Sequence, residues 1–163
     1  MSNITLVTGL WDLGRNNLSE GWNRNFETHY LSKFKEFLSI PENLIVFGDS
    51  ELKKFVDENK THDRIQFVER NLDWFKGNFY DKIQKIRSNP SWYNQKGWLS
   101  ESTQAKLEMY NPLVMQKMFL LNDAKIMDQF DSKYMFWLDA GITNTVHPGY
   151  FTHDQVLENY PNS

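Results

Sequence analysis

Two short runs, "ITLVTG" at residues 4–9 and "NLIVFGD" at 43–49, limit this chain more than any other feature, because both are apolar almost throughout. A strand that alternates apolar and polar residues has one wet face, whereas a continuous run is covered on both faces, the pattern of a parallel sheet packed between helices. The stretch between them agrees. Phe26, Tyr30, Phe34, Phe37 and Leu38 recur at helical spacing and Pro41 closes the segment, which supplies the crossover helix that parallel strands need. "RIQFVE" (64–69) is a weaker third run and "YMFWLD" (134–139) a fourth, while "DSELKKFVDENK" (49–60) reads as a helix with Asp49 or Ser50 as its cap. Strands alternating with helices predict an α/β fold with a mainly parallel sheet flanked by helices.

The middle of the chain, 72–111, holds Trp74, Trp92 and Trp98 and predicts helical pieces around 78–87 and 102–110 with a long loop on one side of the sheet. From Pro112 to Phe130 the pattern is helical again, with proline at the start, where its missing N–H costs nothing. The 163 residues suit one domain with a single core. Net charge is −3 and the basic residues are scattered, so the footprint of a nucleic-acid binder is missing. The absence of cysteine excludes disulfides, a cysteine–zinc site and a thiol nucleophile. No apolar run approaches the roughly 20 residues that cross a bilayer, and the expectation is a soluble, cytoplasmic protein without a membrane span.

Asp139 is the first residue with chemistry to offer. It ends an apolar strand and is followed by the small pair Ala140-Gly141, and ligands of open α/β sheets bind beyond the carboxyl ends of strands. Either the carboxylate points into that crevice or it closes a turn on local backbone. Lys117 is the second. In a helix over 112–130 its neighbours one turn away are Leu113, Val114, Leu120 and Leu121, so its ammonium needs an anionic partner, a phosphate or a carboxylate such as Asp139, unless it reaches the edge of the apolar face. Thr8, Gly9 and Asp49 follow or end the first two strands and fall at the same sheet edge, although capping the next helix is the commoner role for an aspartate placed as Asp49 is. Arg15, in "TGLWDLGR", is placed to meet a phosphate or solvent, although that loop has neither the dinucleotide nor the Walker glycine spacing. His147 and His153 lack a metal-ligand spacing and read as surface or packing residues.

As a set, "STQAKLEMYNPLVMQKMFLLNDA" followed by "YMFWLDAGITNTVHPGYF" resembles the HtrL/YibB family of bacterial and viral proteins, to which glycosyl transfer is ascribed. "TLVTGLWDLGR", "NLIVFGDSEL" and "NPSWYNQKGWL" agree, so the resemblance covers almost the whole chain. It implies a GT-A-like, Rossmann-like nucleotide-sugar-binding half, in which a strand ends in an Asp-x-Asp motif holding Mn²⁺ or Mg²⁺ against the donor's diphosphate and a lysine on the preceding helix contacts the donor. Lys117 and Asp139 stand in that order. The sequence departs at the motif itself, which reads Asp139-Ala140-Gly141 and lacks the second carboxylate. Mg²⁺ commonly takes one or two carboxylates plus waters and substrate phosphates, so one carboxylate suffices physically.

The resulting expectation is a single GT-A-like domain over 1–163. It would bind a nucleotide-diphosphate sugar with Thr8, Gly9, Arg15, Asp49, Lys117, Ala140 and Gly141, hold the metal on Asp139, and transfer the sugar to an acceptor of unspecified identity. Family members continue further, so an incomplete acceptor-binding part is expected, with Tyr150, Phe151 and Tyr160 exposed and a homo-oligomer formed through them. The competing expectation is a non-catalytic nucleotide-sugar-binding or interaction module on the same fold. A metal-dependent phosphohydrolase uses the same Asp and Lys but lacks a nucleophile in a recognised motif.

Overall fold

In the computed structural model, residues 3–146 are described, and they form a four-stranded, all-parallel sheet in the order β3-β2-β1-β4. Its strands are β1 (Ile4–Gly9), β2 (Asn43–Gly48), β3 (Ile65–Glu69) and β4 (Tyr134–Trp137). The two continuous runs become the central pair. Every residue of β2 is buried, and β1 is buried from Ile4 to Thr8, as strands covered on both faces must be.

Period-two alternation sorts the core into two layers. Ile4, Leu6, Leu44 and Val46 meet Phe34, Phe37 and Leu38 from α1 (Ser32–Phe37) and the turn after it, and Leu52 and Val56 from α2 (Ser50–Asn59). On the opposite face Val7, Ile45, Phe47 and Val68 meet Phe75, Leu120 and Ala124. Phe75 lies in a 3₁₀ turn (Leu72–Lys76), after which come α3 (Tyr80–Arg87), the short α4 (Thr103–Lys106), α5 (Tyr110–Met115) and α6 (Lys117–Met127). Leu120 and Ala124 belong to α6.

Two expected helices differ in detail. The crossover helix opens with a π-helical stretch (Phe26–Leu31) that runs straight into α1, with Ser32 N–H donating five residues back to the Glu27 carbonyl. The helix expected over 112–130 is broken. Gln116 (φ −101°, ψ 5°) interrupts it between α5 and α6. Its fully buried amide donates to the Phe75 carbonyl at 2.7 Å and the Pro112 carbonyl at 3.1 Å, and accepts from Asn78 at 3.2 Å. These bonds reward the break, because a buried amide must be satisfied wherever its partners lie.

Strand order reverses at β1. The chain steps from β1 to β2 and β3 on one side and returns to β4 on the other, which makes the crevice at the carboxyl ends of β1 and β4 a topological switch point, the usual ligand site of an open α/β sheet. Among the described residues no helix is long and apolar enough to cross a membrane. Tyr150, Phe151, Tyr160, His147 and His153 lie outside the described residues; within them, Met115, Met118 and Ile126 of α5 and α6 are exposed.

Candidate functional site

A cavity of about 350 Å³ opens at the switch point. Gly9 and the loop after β1 form one wall, the residues after β4 another, and α5 with the start of α6 a third. Its size falls within the range of small-molecule sites.

Asp139 enters two residues beyond β4, whose register against β1 continues as Leu138 N–H donates to the Val7 carbonyl at 2.9 Å. Its Oδ1 accepts from Lys117 Nζ at 2.5 Å and from Trp137 Nε1 at 2.8 Å. Partial burial pushes the carboxyl's pKa up, but the hydrogen bonds from Lys117 and Trp137, together with the lysine's charge, outweigh it and hold the group below its ordinary 3.8. The side chain remains 62% exposed, leaving the carboxylate accessible to a ligand. Lys117, as the first residue of α6, owes its direction to the break at Gln116, and its ammonium also lies 5.8 Å from the centre of the Trp137 ring.

The loop after β1 brings more charge. Asp12 accepts from Gly14 N–H at 2.8 Å across a turn that needs the left-handed φ of 74° at Gly14. Arg15 then donates from Nη1 to the Tyr30 hydroxyl at 2.6 Å and from Nε to the Trp22 carbonyl at 3.1 Å. Arg24 joins it through a backbone bond from Arg24 N–H to the Arg15 carbonyl, 3.3 Å. Burial, then the charges of Arg24 and Arg15, hold the nearby His29 imidazole below its ordinary 6.5. The cavity lining therefore carries Arg15, Arg24 and Lys117 against Asp12 and Asp139. Positive charge prevails.

Of the residues expected from sequence, Gly9, Arg15, Lys117, Asp139, Ala140 and Gly141 meet around this cavity. Thr8 and Asp49 do not line it. Thr8 is fully buried in β1, and its hydroxyl has no hydrogen-bond partner among the described residues. Asp49 caps α2 by accepting from Leu52 N–H at 2.9 Å. Gly9 has a packing reason to be glycine, since a Cβ there would fall 2.5 Å from the Trp11 indole, which is itself fixed by a 2.7 Å bond to the Arg70 carbonyl. At Gly141 an added Cβ would make only ordinary contacts with Asn144 and Tyr30, so the fold does not demand glycine there. Asp12 and Arg24 escaped the sequence reading. Asp12 stands inside the quoted "TGLWDLGR", and Arg24 has no local signal beyond its charge.

A divalent ion fits this donor set in one way. Among the described residues there is no group of three or more His, Asp or Glu able to cage a metal. Asp139 can supply one oxygen, with Asp12 the other carboxylate in the lining, and a hard cation bound so sparsely keeps waters and takes its remaining oxygens from phosphate.

The sequence model of a family described as "Bacterial protein of unknown function (HtrL_YibB)" matches residues 2–159, and the chain belongs to that family. No curated protein and no solved structure matches the chain.

Proposed function

We propose that this member of the HtrL_YibB family is a glycosyltransferase that binds a nucleotide-diphosphate sugar in the switch-point cavity and passes the sugar to an acceptor, in the cytoplasm where such donors are made. One observation carries the reading: a carboxylate delivered by a strand end meets a lysine and two arginines, Arg15 and Arg24, in a single crevice. The arginines and Lys117 suit a diphosphate, whose charge they would offset where water is partly excluded. Aromatic and apolar walls from Trp11, Tyr110 and Leu113 suit a base or sugar.

In the transfer, the acceptor's hydroxyl oxygen bonds to the anomeric carbon as the bond to the diphosphate oxygen breaks, the electron pair leaves with the nucleoside diphosphate, and the hydroxyl proton passes to solvent. Asp139, with Asp12 nearby in the lining, would hold Mn²⁺ or Mg²⁺, which when bound supplies Lewis-acid stabilisation of that leaving group. Lys117 has to exchange its bond to Asp139 for one to phosphate. Ala140 and Gly141 keep the carboxylate's surroundings small, which leaves space for the sugar.

Calorimetric titration of a panel of nucleotide sugars with and without Mn²⁺ tests the proposal. Binding that needs the metal and weakens by about tenfold or more in Asp139→Asn is expected; equal affinity in chelator and in Mn²⁺ ends the metal role. Failure of every nucleotide sugar to bind ends the reading itself. The direct Lys117–Asp139 pair favours a second reading, a module that binds the donor without turning it over, because a carboxylate already paired with an ammonium has less negative charge to offer a metal. Donor consumption in the presence of an acceptor separates the two.

A further inference from the structure

Beside the cavity, two tryptophans from distant parts of the chain stack on each other. The Trp22 and Trp98 rings lie 5.4 Å apart with an interplanar angle of 16°. Trp98 is 70% exposed, an unusual state for the largest apolar side chain, and Tyr93 on the same loop is 75% exposed. Neither indole lines the cavity, yet the Trp22 carbonyl holds the cavity residue Arg15, and Arg24 follows two residues on.

Each tryptophan comes directly after a glycine in the left-handed region, Gly21 at φ 89° and Gly97 at φ 59°. At neither glycine would a Cβ meet any atom within 4 Å, so the glycines serve the path of the backbone rather than packing. Two separate loops thus use the same Gly-Trp device to bring indoles face to face. A loop clasp alone would gain most by burying both rings; here the outer ring stays open.

We propose that the open side of this indole pair is a carbohydrate subsite, taking a neutral pyranose ring of the acceptor; the assignment to an acceptor rests on the glycosyltransferase reading above. The negative face of an indole attracts the weakly positive C–H edges of a sugar and disfavours phosphate, which separates this surface from the cationic cavity. A rigid ring also offers contact area at small entropic cost. Its position outside the cavity suits a molecule that arrives from solvent after the donor is seated.

The test uses ¹⁵N-labelled full chain titrated with cellotetraose, maltotetraose and chitotetraose, without donor, following the six indole N–H signals. Expected are saturable shifts concentrated on Trp98 and Trp22 with at least one of these sugars, an affinity about tenfold weaker in Trp98→Ala, and substantial retention in Trp98→Phe. Nucleoside diphosphate affinity, measured in parallel, should stay within about twofold of the wild type in both variants. No shift with any of the three sugars overturns the proposal, as does Trp98→Ala binding sugar as well as the wild type. Loss of nucleoside diphosphate affinity in Trp98→Ala assigns the platform to the donor's base instead and also overturns it. Because the sugar titration contains no donor, a wild type that binds sugar but no nucleotide refutes the glycosyltransferase reading and leaves the carbohydrate subsite standing.

Discussion

Lys117 and Asp139 form an ion pair that water reaches, with side chains 29% and 62% exposed. Pairs this open contribute little, about 1 kcal/mol or less. Lys117→Met keeps most of the side chain's volume against α5 and Trp137, so thermal unfolding should show a loss of that size at most, while calorimetry should show nucleoside diphosphate affinity down about tenfold. A loss near 3 kcal/mol with affinity unchanged would make the pair structural. The pH dependence follows from the lowered Asp139 pKa: the unfolded chain takes up the proton first, so the pair's stabilisation is full above 3.8 and disappears as pH falls through the lower folded value. Asp139→Asn should therefore flatten the acid side of the stability curve slightly, and an unchanged slope would contradict the pairing. Asp139 was legible in the sequence because an apolar strand cannot end in an acid without an exit for the charge. Arg24 and Asp12 were not, since their place depends on how the loop from Leu10 to Asn25 doubles back, which charge and spacing do not encode.

At the scale of elements, the interruption at Gln116 sets the direction of Lys117. Gln116→Leu fits the volume but leaves the Phe75 carbonyl without its buried partner, at about 1–3 kcal/mol. It also removes the reason for the break. Chemical denaturation should show that loss and titration should show weaker nucleoside diphosphate binding; a variant as stable as the wild type would mean the break has another cause. The break was hidden because Leu113, Leu120 and Leu121 keep helical spacing across it. A signal was available: Gln116 stands three residues after Leu113 and four before Leu120, so an uninterrupted helix would carry an amide in the middle of its apolar face. Strands β1 and β2 were legible for the opposite reason, that apolar runs covered on both sides have few alternatives.

The whole molecule is acidic, net −3, while its cavity lining holds three cations against two anions. A positive crevice in a negative body attracts anions locally and selectively. Raising salt from about 0.01 M to about 1 M shortens the screening length from about 30 Å to about 3 Å, so nucleoside diphosphate affinity should drop several-fold across that range. The double variant Arg15→Gln with Arg24→Gln should bind weakly and respond less to salt. A salt-independent affinity would show that the arginines serve only the loop. Strand order was beyond the sequence, because nothing in "YMFWLD" states whether it joins the free edge of β1 or that of β3.

The π-helical stretch before α1 holds one residue more than an α-helical turn would need, and so works as a counted spacer. It brings Phe26 and Tyr30 to the cavity wall while α1 keeps Phe34 and Phe37 on the sheet. Removing one exposed residue, Glu27, should let the stretch wind as ordinary α-helix without disturbing α1, yet turn everything upstream by about a quarter of a turn, the 100° per residue of an α-helix. A chain shortened this way should retain its circular dichroism and lose the Tyr30–Arg15 contact and nucleotide affinity with it. Spelling the site and the core would then be separate tasks of one helix, divided by a single inserted letter.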